Sequence, residues 1–125
     1  MRSVETSGAP PAIGPYSQAV VADGWVWCSG QIALDPDTGT VTGEASVQAR
    51  RVLAQLAAIL EAAGSGLDQV VKTTIYLISM DDFAAVNAVY AEAFGAWRPA
   101  RATVEVRRLP REARVEIDAI ARTRT

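Results

Sequence analysis

The sequence predicts a single α+β domain over residues 1–125, a mixed sheet with two helices on one of its faces. Two observations predict it. Apolar residues recur at helical spacing in two segments, and five other segments are β-rich or alternate apolar with polar. The resulting order is β-β-α-β-α-β-β, in which the helices fall between strands and can cover one face of the sheet. No tandem repeat, low-complexity tract or Pro/Ser linker divides the chain.

The first two runs, 16–22 and 25–33, are separated by Asp23-Gly24, a two-residue hairpin signal. Asp35-Pro36-Asp37-Thr38-Gly39 is then a turn. From Ala45 to Ala63, the residues Ala49, Val52, Leu53, Leu56, Leu60 and Ala63 form an apolar stripe, with Glu44, Gln48, Arg51 and Gln55 expected on the outer side. Gly64 supplies the stop. Residues 70–78 are apolar or β-branched at both parities, which predicts a central strand covered on both faces. Ser79 is a helix cap, followed by Asp81 and Asp82 near the positive end of the macrodipole. The second helix then turns Phe83, Val86, Val89, Tyr90 and Phe94 inward and ends before Gly95.

The last two strands alternate. Arg101, Thr103, Glu105 and Arg107 oppose Ala102, Val104 and Val106; Arg114, Glu116 and Asp118 oppose Val115, Ile117 and Ala119. These two strands are expected to pair with each other, and charge selects a register of Arg101 with Asp118, Thr103 with Glu116, Glu105 with Arg114 and Arg107 with Glu112, each unlike pair worth roughly 0.2 to 1 kcal/mol. Arg101 and Glu116 then become diagonal neighbours on one face, roughly 7 to 8 Å apart. A sheet face this polar beside such apolar strands is neither simply solvated nor simply core, so an oligomer with sites in its seams is expected.

Composition narrows the chemistry. The chain has no His and one Cys, which removes His-based triads, His-based zinc sites, thiolate zinc sites and an intrachain disulfide. A net charge of -2 with dispersed positives makes nucleic acid an unpromising partner. The start lacks a signal-peptide apolar region, and no window reaches membrane-span length, so the expectation is a cytoplasmic protein off the membrane. Chemistry must then run on carboxylates, Tyr, Ser/Thr, Arg, Lys72 and backbone amides.

Within that inventory Arg101 offers a planar fork for a carboxylate, against the plainer alternative of an ion pair with Asp118. Glu116 is a general base if burial raises its pKa, against a solvated surface charge. The turn Ala12-Ile13-Gly14-Pro15 aims Tyr16; Ser29-Gly30-Gln31 closes a Trp-bearing strand, where Gly30 either admits a ligand or forms a β-bulge. Asn87, in the middle of a helix, needs a polar contact or a surface position. Cys28 reads as a small buried residue and Lys72 as a strand lysine with its head in solvent.

Ala9-Pro10, Ala12 through Ala19, Ser29-Gly30-Gln31, Asp81-Asp82-Phe83 with Val86-Asn87 and Tyr90, Pro99-Ala100-Arg101, Leu109-Pro110 and Val115-Glu116-Ile117 together resemble the reactive intermediate deaminase (RidA, YjgF-type) family over residues 9–122. The resemblance implies a homotrimer of chorismate-mutase-like subunits, sheets inside and helices outside, with three clefts at subunit interfaces. It implies hydrolysis of 2-imino acids such as 2-iminopropanoate to 2-keto acids without metal or cofactor. Carried over by motif, Arg101 binds the substrate carboxylate, Glu116 handles the water, and Tyr16, Ser29, Gly30 and Asn87 line the pocket. Thr103 stands where many members have Cys, at the expected pocket floor, and the short Gly95-to-Arg98 segment is expected to let Trp97 reshape specificity. The competing readings are an endoribonuclease and a non-catalytic binder of keto acids.

Overall fold

The computed structural model describes residues 1–124. Its elements are β1 (Arg2–Val4), β2 (Ala19–Ala22), β3 (Trp25–Gln31), α1 (Ala45–Ala62), β4 (Val70–Leu77), α2 (Phe83–Phe94), β5 (Ala100–Glu105) and β6 (Val115–Arg122). The six strands form one sheet in the order β1-β2-β3-β6-β4-β5. Only β4 and β5 run parallel, joined through α2. Strand β1 was not expected; three residues are too few to show a period, and it is fixed by pairing Val4 with Ala19.

Local signals act as their chemistry predicts. Asp23 and Gly24 both take positive φ, 51° and 81°, as a type I′ hairpin requires. Helix α1 ends in a Schellman arrangement: the Ser65 amide donates to the Leu60 carbonyl and the Gly64 amide to the Glu61 carbonyl, with Gly64 at φ 79°. Ser79 accepts from the Asp81 amide at 3.2 Å and opens a 3₁₀ turn that leads into α2.

The core lies between the helices and one sheet face, where Val52, Leu56, Ile59, Leu60, Val70, Leu77, Val115 and Ile117 are fully buried. Two expected outer residues of α1 belong to it. Gln48 accepts from the Arg114 amide and donates to the Gly43 carbonyl; Gln55 donates to Gln31 Oε1 and the Ile32 carbonyl. Paired in this way, an amide side chain can be buried without an unsatisfied group.

The largest correction concerns the last two strands. They do not pair with each other: β6 lies between β3 and β4, and β5 lies beyond β4 at the edge. Burial explains why. Val115, Ile117, Ala119 and Ala121 are at most 2% exposed at the centre of the sheet. Burying Val115 and Ile117 alone stabilises by about 1.5 to 3 kcal/mol each, which matches or exceeds three exposed charge pairs at roughly 0.2 to 1 kcal/mol each. The anticipated charge partners are accordingly elsewhere. Asp118 accepts from the Tyr76 hydroxyl (3.0 Å) and the Thr74 amide (3.2 Å), Arg114 Nη2 donates to both carboxylate oxygens of Asp82, and Glu105 accepts from the Met80 amide.

The helices leave the other sheet face bare. It carries Glu116, Asp118, Thr74, Tyr76 and two exposed apolar side chains, Trp27 at 50% and Val104 at 40%. Among the described residues no helix is long and apolar enough to cross a membrane.

Candidate functional site

Strand order decides where the two leading candidates point. Residues opposed across adjacent strands share a face. Arg101 opposes Thr73, whose hydroxyl meets the Tyr90 hydroxyl of α2 at 2.7 Å, so Arg101 projects to the helix side. Glu116 opposes Tyr76 and sits between Val115 and Ile117, both fully buried on the helix side, so Glu116 projects to the bare face. The expected diagonal pair does not exist within the chain. In β5 the polar parity faces the helix side because the strand lies at the margin of α2, where a long side chain reaches past the core.

Two separate half-sites result. At the β5 edge, Arg101 Nη1 donates to Asn87 Oδ1 at 2.7 Å, and the guanidinium carbon lies 5.0 Å from the Tyr90 ring centre and 5.7 Å from that of Phe83. Stacking and the hydrogen bond together fix the plane of the fork. Asn87 thereby acquires the polar contact its place in the helix called for. The phenol of Tyr90 is itself held neutral: burial raises its pKa, opposed by the Thr73 hydrogen bond and the Arg101 charge. Arg101, Asn87, Tyr90, Ala91, Arg98 and Pro99 line a cleft of about 380 Å³.

On the bare face, Tyr16, Gly30 and Glu116 line a tighter cavity of about 90 Å³ with the 10–13 segment, Gln18 and Pro110. Ser29 and Gly30 form the bulge between the Cys28–Ala119 and Gln31–Ile117 pairs, which bears out the β-bulge reading of Gly30. A Cβ at Gly30 would lie 2.4 Å from Glu116 Oε2 and 2.8 Å from its Cδ. The carboxyl therefore rests on the glycine. Burial, and secondarily the neighbouring Asp118 carboxylate, push the Glu116 pKa upward.

The wall opposite is held by backbone. The Tyr16 amide donates to the Gly14 carbonyl at 2.8 Å, leaving the phenol ring half-exposed beside the cavity. The Ser29 hydroxyl donates to the Ser17 carbonyl at 2.5 Å, so Ser29 clamps the turn to the bulge. Gln18, which the sequence reading did not single out, accepts from the Thr6 amide and donates to the Thr6 and Pro10 carbonyls. The signal was its polar amide at a position that must be buried.

Thr103 opposes Ile75 and faces the helix side with Arg101, which corrects its expected place opposite Glu116. Its Oγ1 is buried without a hydrogen-bond partner among the described residues. The Trp97 indole N–H donates to the Val70 carbonyl at 2.8 Å, and Arg98 is the loop residue that lines the cleft. Cys28 is buried on the core side, its thiol pushed up to about 12 by burial and then Asp118, so it is no nucleophile at neutral pH.

Comparison with known proteins places this geometry. The family model described as endoribonuclease L-PSP matches residues 6–123. A RutC family protein of Synechocystis is 52% identical over 124 residues, 97% of this chain and 95% of that protein. The 2-iminobutanoate/2-iminopropanoate deaminase of Salmonella typhimurium is 47% identical over 123 residues, 96% of each chain. Among solved structures, RidA from an Antarctic Psychrobacter superposes with a TM-score of 0.93 at 39% identity, covering 98% and 99% of the two chains. Escherichia coli TdcF with bound serine superposes at 0.91, also with 39% identity and 98% of both chains. With its fold and nearly its whole length shared, the chain belongs to the endoribonuclease L-PSP family, the group whose members include the Rid and RutC proteins.

Proposed function

We propose that this protein is a hydrolytic deaminase that converts reactive 2-imino and 2-enamino acids to 2-keto acids and ammonia, with each working site assembled between two subunits of a homotrimer. The observation that carries the reading is the division of the two half-sites. Arg101 is a fixed carboxylate fork with no base beside it, and Glu116 is a carboxyl of raised pKa with no guanidinium beside it. Neither cleft alone can both hold a carboxylate and deliver water. The bare sheet face, with Trp27 and Val104 exposed, is the surface that packing of further subunits would cover. Relatives named 2-iminobutanoate/2-iminopropanoate deaminase, from bacteria and mammals, support the reaction class.

The chemistry asks little of the protein. A protonated imine carbon is already electrophilic. Arg101 binds the carboxylate and orients C2; Glu116 takes a proton from water as its oxygen bonds to C2, which gives a carbinolamine. Glu116 then returns that proton to nitrogen. The C–N bond breaks as the C=O forms, and the hydroxyl proton departs with the ammonia as ammonium. Tyr16 and Gly30 shape the water side, and Asn87 orients the fork. A carboxylate with a raised pKa is a stronger base than an ordinary Glu, as proton abstraction from water requires.

The test is to generate 2-iminopropanoate with a dehydratase or an amino-acid oxidase and follow keto-acid release. The intact protein should accelerate it over buffer, Arg101→Ala should abolish the acceleration, and Arg101→Lys should lose most of it because a point charge replaces the fork. No acceleration by the wild type, with keto-acid binding retained, would leave a metabolite binder; RNA cleavage that co-purifies with the chain and is lost in Glu116→Gln would favour the endoribonuclease.

A further inference from the structure

The Arg101 cleft holds more positive charge than one carboxylate needs. Arg98, three residues before Arg101 along the chain, lines the same cleft. Its Nη1 donates to the Gly95 and Trp97 carbonyls, which pins the side chain over the C-terminal end of α2. Among the described residues neither Arg98 nor Arg101 forms an ion pair, and no carboxylate lines the cleft. Each guanidinium has five N–H donors. The hydrogen bonds above use Nη1 of each, so Nε and Nη2 of both have no protein acceptor among the described residues. The two Cα atoms are at most about 11 Å apart, so two long side chains can converge on one short ligand.

We infer that the cleft is built for a dianion: Arg101 takes the carboxylate next to the imine carbon, and Arg98 takes a second carboxylate at the far end of a dicarboxylic 2-imino acid. The assignment rests on the deaminase reading of the same site. Two adjacent cations with no counter-charge from their own subunit repel each other, and a doubly charged substrate relieves that repulsion, whereas a monocarboxylate leaves one fork unpaired. The plainer role for Arg98, capping α2, uses only Nη1 and accounts neither for its free donors nor for the absence of acidic residues around it.

The experiment compares kcat/KM for 2-iminopropanoate, 2-iminosuccinate and 2-iminoglutarate, generated in place from alanine, aspartate and glutamate by amino-acid oxidases, with the spontaneous rate subtracted. The wild type should favour at least one dicarboxylic imine by about tenfold, the scale of one charge-assisted contact. Arg98→Ala should collapse that preference through KM for the dicarboxylic imine, and Arg98→Lys should keep part of it. A cap alone would lower all three substrates together. Equal selectivity in wild type and Arg98→Ala, or a wild-type preference for 2-iminopropanoate, overturns the inference. If no imine is turned over, the deaminase reading falls, and calorimetry with pyruvate and 2-oxoglutarate decides the inference: tighter 2-oxoglutarate binding that depends on Arg98 upholds it, and equal binding refutes it.

Discussion

Arg101 and Glu116 project from opposite faces of the sheet, with β4 lying between their strands. A site that uses both must draw them from different subunits. Arg101→Ala and Glu116→Gln should therefore each be inactive alone yet complement when unfolded and reassembled together. Random mixing restores an intact seam at about a quarter of the sites, because each seam needs one functional Arg and one functional Glu. The measurement is keto-acid release from the mixed, refolded protein; a mixture as inactive as its parents would show that each subunit supplies both groups.

Gly30 is required by contact rather than by backbone freedom. A methyl group there meets the Glu116 carboxyl at 2.4 Å, so Gly30→Ala must push the carboxyl off its seat. We expect kcat to fall by about 10²-fold, the usual cost of misplacing a reacting group by an ångström, with the thermal midpoint little changed. Steady-state kinetics with a melting curve on the same sample checks both.

The raised pKa of Glu116 ties stability to pH. The folded chain holds a proton that the unfolded chain has already released, so stability falls as pH rises from the ordinary Glu value, about 4.3, through the higher folded value. Glu116→Gln removes this loss. Denaturant titrations should show the variant gaining on the wild type as pH rises from the ordinary Glu value through the higher folded value. Activity moves oppositely: the ionised carboxylate is the working form, so kcat/KM should rise across the same window.

Thr73 and Tyr90 exchange a buried hydrogen bond at 2.7 Å beneath the Arg101 fork. Thr73→Val should cost about 1 to 3 kcal/mol by stranding the phenol, while adding Tyr90→Phe should recover much of that loss. A double-mutant cycle in denaturant measures the coupling. Additive losses would mean that the two hydroxyls are independently satisfied.

Removing the Asn87 acceptor leaves Arg101 stacked but free to swing about its ring partners. Asn87→Ala should raise KM by several-fold, with a smaller effect on kcat, since an exposed charge-assisted bond is worth about 1 kcal/mol or somewhat more. Substrate titration at saturating and limiting imine concentrations separates the two.

Both helices, the Asp23-Gly24 hairpin, the Gly64 stop and the inward stripe of α2 were legible because each depends on spacings of two to four residues and on local backbone chemistry. The family was legible because its motifs are short and ordered along the chain. The outer placement of Gln48 and Gln55 failed because their partners, Arg114 and Gln31-Ile32, are distant in sequence. The pairing of the last two strands failed for a related reason. Charge complementarity selects a register only between strands that are neighbours, and which strands are neighbours is decided by burial over the whole sheet.

By itself the sequence determined the elements other than β1, the family and the set of candidate site residues: Arg101, Glu116, Tyr16, Ser29, Gly30, Asn87 and Thr103. Only the tertiary structure decided that β6 enters the centre of the sheet and β5 its edge. That insertion buries Val115 and Ile117, turns Arg101 toward α2 and leaves Glu116 on the bare face. Alternation states that two residues lie on opposite sides of their own strand. Which side faces the helices is a property of the packed core, and here it divides one candidate site into two halves.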